Sequence, residues 1–501
     1  MSKNVDFWMF FKYNSFYEEK EGVNCMNILE QFISSTNTIL WSYILIAMLI
    51  GLGLYFSIKL KFVQITHLGE MVRLMSDGLT GKTRKKGSVS SFQAFCMSSA
   101  ARIGIGNLAG VALAISMGGP GAVFWMWVIA IIGASSSFVE STLAQIYKVK
   151  DGSGFRGGPA YYMEKGLNKR WMGIWFSILI TISYGLIFNS VQANTVTLAF
   201  ENAFGLERYI VGIALAALVA VIIFGGVKSI ARMSEMIVPP MALIYIAVAI
   251  FVVIKNFYLI PDVFTEIFKG AFGLDSAVGG GIGAAMKYGI QRGLFANEAG
   301  MGSAPNAAAT ADVTHPAKQG FIQTIGVLVD TFLVCTSTAF IVLCSGAYKA
   351  TNLEGIELTQ NALSSQIGPW ASSFLAIIIF LFAFSSLLGN YYYGETNIEF
   401  IKQSKTWLTI YRIAVVGMVL FGSVATLQVV WNMADLFMGL MVITNLIAIT
   451  LLGRFAYAAL ADYVRQKKQG KDPVFRADSI PGLTNTECWD KSAVTDKEKA
   501  V

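Results

Sequence analysis

Long apolar segments alternate with polar connections along this chain of 501 residues. A membrane-spanning helix needs about 20 mostly apolar residues, and the chain contains about eleven segments of that kind. They lie at roughly 38–58, 92–117, 121–147, 171–198, 209–227, 236–256, 283–309, 321–347, 370–397, 406–429 and 432–455. The pattern predicts an all-α polytopic membrane protein with about 11 transmembrane helices.

Two of these segments, the second and the seventh, contain glycines and polar residues in their interior. The early one reads Ala100-Ala101-Arg102-Ile103-Gly104-Ile105-Gly106-Asn107, and the later one reads Phe295-Ala296-Asn297-Glu298-Ala299-Gly300-Met301-Gly302-Ser303. An unpaired backbone group in hydrocarbon costs several kcal/mol, so a broken helix persists only where it lines a cavity. Two breaks in corresponding places of two halves indicate the binding site of a secondary transporter near the bilayer midplane.

The positions of the breaks divide the chain into five parts. Residues 1–37 form an N-terminal extension, in which translation could also begin at Met26, and 38–91 hold one additional helix and an interfacial segment. Residues 92–256 and 257–455 are two five-helix repeats, and 456–501 are a charged tail predicted to be mobile. An odd number of helices per repeat makes the second copy enter from the opposite side, so the 5+5 repeat is inverted.

The distribution of lysine and arginine predicts the orientation of the chain. The first connection holds Lys59, Lys61, Arg73, Lys82, Arg84, Lys85 and Lys86, and the third holds Lys148, Lys150, Arg156, Lys165, Lys169 and Arg170. Because basic loops stay in the cytoplasm, we expect the N-terminus outside and the C-terminus in the cytoplasm of a cell-membrane protein. We also expect the basic stretch 62–79 to lie on the inner surface, near anionic lipid.

Composition narrows the possible functions. The chain is 55% hydrophobic and 14% charged, which excludes an ordinary soluble domain. The net charge of +7 is largely accounted for by the cytoplasmic loops, so no nucleic-acid partner is expected. Five scattered cysteines and two histidines, His67 and His315, offer neither a disulfide framework nor a histidine metal site.

Several long motifs resemble one transporter family. They are Gly104-Ile105-Gly106-Asn107-Leu108-Ala109-Gly110, Gly118-Gly119-Pro120-Gly121, Asn297-Glu298-Ala299-Gly300-Met301-Gly302-Ser303-Ala304-Pro305 and Tyr391-Tyr392-Tyr393-Gly394-Glu395. In this order and over residues 26–455, they resemble the alanine or glycine:cation symporter family. The resemblance implies a leucine-transporter-like fold with one extra N-terminal helix. It also implies sodium-driven uptake of small amino acids, with glutamine among the family's substrates.

A zwitterionic substrate must exchange water for protein at both of its charged ends. In the second span, Gly104 and Gly106 would open the helix so that the amides of Gly104, Ile105 and Gly106 face the carboxylate, with Asn107 beside them. Glycines also serve helix packing in membranes, which is the alternative for this segment. The adjacent polar Asn107 and the second break favour a binding role.

The seventh span would serve the substrate's ammonium group. The carbonyls of Phe295, Ala296 and Asn297 are released by the break, and Glu298 could add a negative charge. Glu298 could instead pair with Arg102 or Arg292 and have only a structural role.

Three further ionisable residues lie within predicted spans: Arg102, Glu140 and Asp330. Arg102 could hold a substrate carboxylate, but its permanent charge would compete with a bound cation. We therefore predict that Arg102 points away from the cavity and pairs with Glu140, Glu298 or Asp330. Glu140 and Asp330 are predicted to be structural or gating residues.

The fourth span carries Asn189, Gln192 and Asn194. Gln192 lies three residues after Asn189, so the two share a helix face. We predict that Gln192 contacts the substrate, whereas hydrogen bonding between helices is the alternative for these amides.

Sodium prefers hard oxygen ligands. The leucine-transporter-like resemblance implies a sodium site made of the carbonyls of Ala100 and Ile103, the hydroxyls of Ser385 and Ser386 and the carbonyl of Phe382. The alternative is that both serines hydrogen-bond within their own helix. Sodium would be a co-transported ion, and no organic cofactor is expected.

The sequence thus predicts a secondary transporter that carries a small neutral amino acid, alanine or glycine first, into the cell by alternating access. A proton-coupled carrier and a sodium:glutamine symporter of the same fold are the alternatives. A channel is disfavoured by the paired breaks. A membrane-embedded enzyme is disfavoured further, since the sequence contains no H-E-x-x-H, nucleophile-elbow or Cys-His arrangement. The oligomeric state stays open.

Overall fold

The protein is almost entirely helical in a computed structural model, which describes residues 22–79, 89–152, 154–223, 227–273, 281–350 and 352–489. Most of the predicted extension 1–37 and the last residues of the tail lie outside these ranges. The predicted all-α architecture is confirmed.

The first half of the chain contains twelve described helices. They are α1 Gly22–Ile39, α2 Leu45–Lys59, α3 Val63–Thr66, α4 Leu68–Leu79, α5 Ser91–Arg102, α6 Val111–Gly118, α7 Gly121–Ile146, α8 Pro159–Leu167, α9 Arg170–Ile180, α10 Asn189–Phe204, α11 Arg208–Ile223 and α12 Val227–Lys255. Strands β1 Val149–Asp151 and β2 Gly154–Arg156 form an antiparallel hairpin after α7.

The second half of the described chain contains ten helices and two short 3₁₀ turns, Phe257–Leu259 and Ala477–Ser479. The helices are α13 Ile260–Ala271, α14 Gly281–Asn297, α15 Ala304–Ala308, α16 Pro316–Val329, α17 Thr336–Ser345, α18 Ala347–Ala350, α19 Gly355–Ile367, α20 Trp370–Ile401, α21 Lys405–Val424 and α22 Leu427–Lys468.

Several long helices are continuous through wider π-helical turns, which occur often at functional sites. The turns lie at Leu40–Ile44, Gly106–Gly110, Thr181–Phe188 and Asp330–Cys335. They join α1 to α2, α9 to α10 and α16 to α17 into single rods, whereas the turn at Gly106–Gly110 belongs to a bent segment described below.

The described residues contain eight helices that are long and apolar enough to cross a membrane, or nine if the bent pair α5 and α6 counts as one span. The predicted count of eleven is therefore not confirmed. Helix α11 has only 16 residues, and the predicted span 283–309 is divided between α14 and the short α15. These two segments account for the difference.

The additional N-terminal helix packs against the last long helix. The side-chain amide of Asn37 donates to the carbonyl of Asn432 at 2.9 Å, and the buried indole of Trp41 donates to the carbonyl of Asp435 at 3.1 Å. These contacts attach α1 to α22 near residues that also approach the broken helices.

The described part of the C-terminal tail, which ends at Trp489, packs against the rest of the protein, whereas the sequence predicts a mobile tail. Helix α22 extends to Lys468, beyond the predicted end at 455. Phe475 and Trp489 are buried, with exposed fractions of 0% and 1%. Burial of these two large aromatic side chains stabilises the packing of the tail. The many charged residues of the tail do not indicate this packing.

Candidate functional site

The first predicted break is present. Helix α5 ends at Arg102, Ile103 and Gly104 leave the helical path, and the chain resumes in a direction bent by 49°. The amide of Gly104 is hydrogen-bonded to the side-chain oxygen of Asn107 at 3.0 Å. Asn107 therefore supports the break itself, in addition to the substrate role that the sequence predicts for it.

The second break lies between α14, which ends at Asn297, and α15, which begins at Ala304. Glu298, Gly300 and Gly302 all have positive φ angles of 57°, 83° and 84°. Glycine adopts this left-handed region without steric cost, whereas other residues rarely do. The two glycines thus allow the break, and Glu298 is held in it against its intrinsic preference.

The two breaks lie against each other. A Cβ atom added to Gly106 would lie 2.8 Å from Cδ1 of Phe295 and 3.3 Å from Cα of Ala296. One added to Gly104 would lie 2.4 Å from Oγ of Ser386. The structure therefore brings five of the predicted site residues together around two glycines, at which an added side chain would force a neighbour to move.

Glu140 of α7 holds the second break open. Its carboxylate accepts hydrogen bonds from the amides of Gly300 at 3.1 Å and Gly302 at 3.0 Å, and from the side chain of Asn445 at 2.8 Å. Asn445 also donates to the carbonyl of Gly300 at 2.9 Å and accepts a hydrogen bond from Tyr162. The backbone groups that the break releases are thus satisfied by side chains of α7 and α22.

Asn445 and Tyr162 were not among the predicted site residues. Asn445 is separated from Glu140 by 305 positions in the sequence. The only signal was an amide in the middle of an apolar helix, and an amide there is as typical of helix packing as of a functional site.

Asn297 and Glu298 turn their polar groups inward. The side-chain oxygen of Asn297 accepts a hydrogen bond from the amide of Ala299 at 3.1 Å, and its side-chain nitrogen donates to the hydroxyl of Thr331 at 3.3 Å. Glu298 accepts from the hydroxyl of Ser303 at 2.6 Å. Both side chains are buried, and their polar groups are hydrogen-bonded next to the second break.

The predicted ion pair between Arg102 and a carboxylate is not found in the part of the chain that the structure describes. The buried guanidinium donates to the side-chain oxygen of Gln323 at 2.9 Å and to its carbonyl at 3.4 Å. A neutral residue of α16 supplies two oxygen acceptors in place of a direct ion pair, while the charge of Arg102 interacts at longer range with Glu140, Glu298 and Asp330. Asp330 instead accepts from the side chain of Asn107 at 2.7 Å and so ties the first break to the end of α16.

Arg292 was the second proposed partner of Glu298, and it pairs elsewhere. Both of its terminal nitrogens donate to the carboxylate of Asp435 at 2.8 Å. The guanidinium also lies 4.4 Å from the ring centre of Trp431. The Trp431 ring in turn packs at a tilt against the Phe295 ring, with centroids 4.8 Å apart, and the Phe295 ring packs against that of Phe188 at 4.9 Å.

The rings of Phe295 and Trp431 lie against Gly106 and Gly110, respectively. Neither Asp435 nor Trp431 was among the predicted site residues. The pairing partner of Asp435 lies 143 positions away, so no local pattern could identify it.

The predicted sodium ligands are arranged in two parts. The hydroxyl of Ser386 donates to the carbonyl of Ala100 at 2.7 Å, across the interface between α20 and α5. The hydroxyl of Ser385 donates to the carbonyl of Phe382 at 2.8 Å within its own helix, as in the alternative stated for it. Ile103 lies in the break itself. Carbonyl and hydroxyl oxygens are the ligands that a hard cation prefers, and here the two hydroxyls are bonded to two of the predicted carbonyls.

The amides of α10 differ in their roles. Asn194 donates to the carbonyls of Gly422 at 3.0 Å and Ala425 at 2.7 Å, which makes it an interhelical tie. Gln192 and Asn189 are buried, and their side-chain oxygens have no hydrogen-bond partner among the described residues. A buried acceptor without a partner is costly, and both side chains carry one.

Comparison with known proteins places these features in context. The sequence model described as the sodium:alanine symporter family matches residues 26–477. The chain is 60% identical to the probable sodium/glutamine symporter GlnT of Bacillus subtilis, over 92% of this chain and 96% of that protein. It is 59% identical to the amino-acid carrier protein AlsT of the same organism, over 92% and 99%.

The fold agrees with a solved transporter structure. A manganese transporter of Eremococcus coleocola superposes with a TM-score of 0.50 over 75% of this chain and 88% of that chain, at 10% sequence identity. At this identity the similarity shows only the fold, which is the predicted leucine-transporter-like architecture.

Proposed function

Because the chain belongs to the sodium:alanine symporter family and is therefore a multi-pass, cation-coupled amino-acid symporter, we propose that it carries a small neutral amino acid together with sodium into the cell. The observation that supports this most is the contact of Gly106 with Phe295 and Ala296, where two broken helices meet. Exposed backbone groups at such a junction can bind a zwitterion without a full opposing charge.

The substrate carboxylate would bind the amides of the first break at Gly104, Ile105, Gly106 and Asn107, and its ammonium would bind the second break at Phe295, Ala296, Asn297 and Glu298. Sodium would bind the oxygens of Ala100, Ile103, Phe382, Ser385 and Ser386. The amide of Gly104 is presently bonded to Asn107. We propose that substrate binding displaces this hydrogen bond, which links the ligand to the shape of the break.

Alanine or glycine is the first candidate substrate because the aromatic ring of Phe295 approaches Gly106 so closely. Glutamine is the second candidate. It is supported by the 60% identity to a protein named as a probable sodium/glutamine symporter, and by the buried, unpartnered oxygen of Gln192, which could accept from a substrate carboxamide.

The experiment is uptake into sealed vesicles that contain the purified full-length chain. We expect radiolabelled alanine to accumulate above its equilibrium level only with an inward sodium gradient. Equal accumulation with and without that gradient would reject sodium coupling. A pH gradient that replaces sodium would instead support the proton-coupled alternative.

Competition in the same vesicles orders the substrates. Unlabelled alanine, glycine, serine, glutamine and D-alanine are each added in sodium buffer, with leucine as the bulky control. If glutamine displaces labelled alanine more effectively than glycine does, the second candidate replaces the first.

A further inference from the structure

Residues 469–489 follow the last long helix and cross the face of the protein on which α7 ends. They contain one short 3₁₀ turn, at Ala477–Ser479, and are otherwise irregular. Phe475, Ile480, Cys488 and Trp489 are nevertheless buried, with exposed fractions of 0%, 5%, 3% and 1%. Burial of this kind in an irregular segment indicates a fitted contact with the rest of the protein rather than a solvated tail.

The first attachment joins this segment to the start of α16. The amide of Phe475 donates to the carbonyl of Thr314 at 2.9 Å, and the hydroxyl of Thr314 donates to the carbonyl of Pro473 at 2.9 Å. The amine of Lys318 contacts both carboxylate oxygens of Asp472 at 2.8 and 2.9 Å. One backbone hydrogen bond, one hydrogen bond from a side-chain hydroxyl and one ion pair thus fix residues 472–475.

The second attachment joins the segment to the end of α7. The indole of Trp489 donates to the carbonyl of Gln145 at 2.8 Å, and its ring packs against Phe475 at 5.2 Å. The side chain of Gln145 donates to the carbonyls of Ala308 at 2.5 Å and Ala311 at 3.0 Å. Trp489 therefore lies on a part of α7 that is itself bonded to the residues after the second break.

A third attachment reaches α8. The side chain of Asn485 donates to the carbonyl of Lys165 at 3.1 Å, and the amine of Lys165 contacts the carboxylate of Glu487 at 2.5 Å. The Glu487 side chain is about half exposed, and surface ion pairs of this type stabilise little. The buried aromatic residues Phe475 and Trp489 thus hold the segment more firmly than the exposed ion pair of Glu487 does.

The first two attachments connect the segment that follows α22 to parts of the protein next to the second break. Helix α7 supplies Glu140, which binds Gly300 and Gly302, and residues 309–315 directly follow α15. In alternating access, the elements that carry the site move relative to the others. Any such movement of α7 and α15 away from α22 must break the contacts of Phe475 and Trp489.

We propose that residues 472–489 form a C-terminal latch that holds this face of the transporter closed and must release once in each transport cycle. The inference rests on the proposed symport and adds a conformational control to it. The face concerned is the one that the lysine and arginine distribution predicts to be cytoplasmic.

The sharpest test is a reversible covalent lock. Lys165→Cys and Glu487→Cys are combined in full-length protein that carries Cys488→Ser, and the pair is joined by a short reagent with two thiosulfonate groups. The matched control is Arg476→Cys with Asp478→Cys in the same background. Both residues of that pair lie within the tail, where Nε of Arg476 is 3.4 Å from Oδ1 of Asp478. Their cross-link therefore does not attach the tail to the rest of the protein.

We expect the locked protein to bind alanine in sodium but to lose at least about tenfold in uptake, with recovery after reduction and no loss in the control. Unchanged uptake in the fully cross-linked protein would overturn the latch. If the untreated parent neither binds nor transports an amino acid, the proposed function fails instead. The two failures are therefore distinguishable.

A second measurement does not depend on transport. Trp489→Ala should raise the reaction rate of Cys488 with a hydrophilic maleimide by at least about tenfold, read by peptide mass spectrometry, because the indole no longer anchors the segment. Arg476→Ala, on the exposed side of the tail, is the control. Equal labelling of Cys488 in all three proteins would contradict the latch.

Discussion

Gly106 and Gly104 lack side chains, and this lets other residues of the predicted site pack closely against them. The nearest neighbour of one is the ring of Phe295, and that of the other is the hydroxyl of Ser386. Both neighbours belong to elements that the sequence assigned to the site. By contrast, an added Cβ at Gly417 would meet no atom within 4 Å. The same residue type therefore has a site-forming role at two positions and none at the third.

Substitution of Gly106 by alanine tests this contact. The added methyl group would force Phe295 to move, and overpacking of this kind costs about 1–3 kcal/mol. We expect alanine uptake to fall by at least about tenfold while the amount of folded protein in the membrane is retained. Gly417→Ala is the control, and uptake by Gly106→Ala at the level of that control would argue against a site between the breaks.

The two serines of α20 allow a test of the sodium site. Ser386 spans two helices to reach Ala100, whereas Ser385 bonds within its own helix. We expect Ser386→Ala to raise the sodium concentration for half-maximal uptake by about tenfold, or about 1.4 kcal/mol, and Ser385→Ala to raise it less. A sodium dependence that is identical in both variants and the parent would exclude these hydroxyls as ligands.

His315 gives a prediction for pH. Burial lowers the pKa of His315 below its usual value of about 6.5, although Asp462 and Asp472 oppose this and Lys318 reinforces it. The unfolded chain therefore binds the proton more readily than the folded chain. Stability should be fully present above about pH 6.5 and should fall as the pH drops below it.

Thermal unfolding between pH 5 and 8 measures this effect, taking about 6.5 as the unfolded pKa. The Nδ1 atom of His315 accepts a hydrogen bond from the backbone amide of Ala317 at 3.1 Å and so caps the N-terminus of α16. His315→Asn keeps a capping side chain without a titrating group. We expect a smaller fall in unfolding temperature at acidic pH in this variant, and an equal fall in both proteins would contradict the assignment.

At the scale of elements, the breaks were predictable and their supports were not. Gly104, Gly106, Gly300 and Gly302 identify the two interruptions because glycines and polar groups disturb an apolar helix locally. The carboxylate that binds Gly300 lies 160 positions earlier in the chain, and such a contact has no periodic signature. The same applies to Arg102, whose partner had to be chosen among distant residues and proved to be Gln323.

Glu140→Gln tests whether the second break depends on its support. A glutamine side chain offers one acceptor oxygen, whereas the carboxylate now binds Gly300 and Gly302 with different oxygens. One buried amide would lose its partner, at a cost of about 1–3 kcal/mol. We expect a lower unfolding temperature together with reduced uptake.

The exposed Glu207→Gln is the matched control for this change. A Glu140→Gln protein that unfolds and transports like the parent would show that the break is stable without the carboxylate.

At the scale of the whole molecule, hydrophobic segments predicted the class of fold and the order of nearly all long helices. The count of spans was less predictable, because α11 is short and the broken α14–α15 segment is not a continuous apolar rod. The packing of residues 472–489 was missed because charged residues dominate the composition of the tail. Its attachment depends on a few separate aromatics, which meet their partners only in the folded chain.

The central claim is that sodium and a small amino acid bind together where the two broken helices meet. The most direct measurement is calorimetric titration of the purified transporter. Alanine is titrated with and without sodium in the buffer, and sodium is titrated with and without alanine. Linkage requires each ligand to raise the affinity of the other by the same factor, which we expect to be about tenfold or more and to shrink in Ser386→Ala. Alanine affinity that is identical with and without sodium would contradict the account.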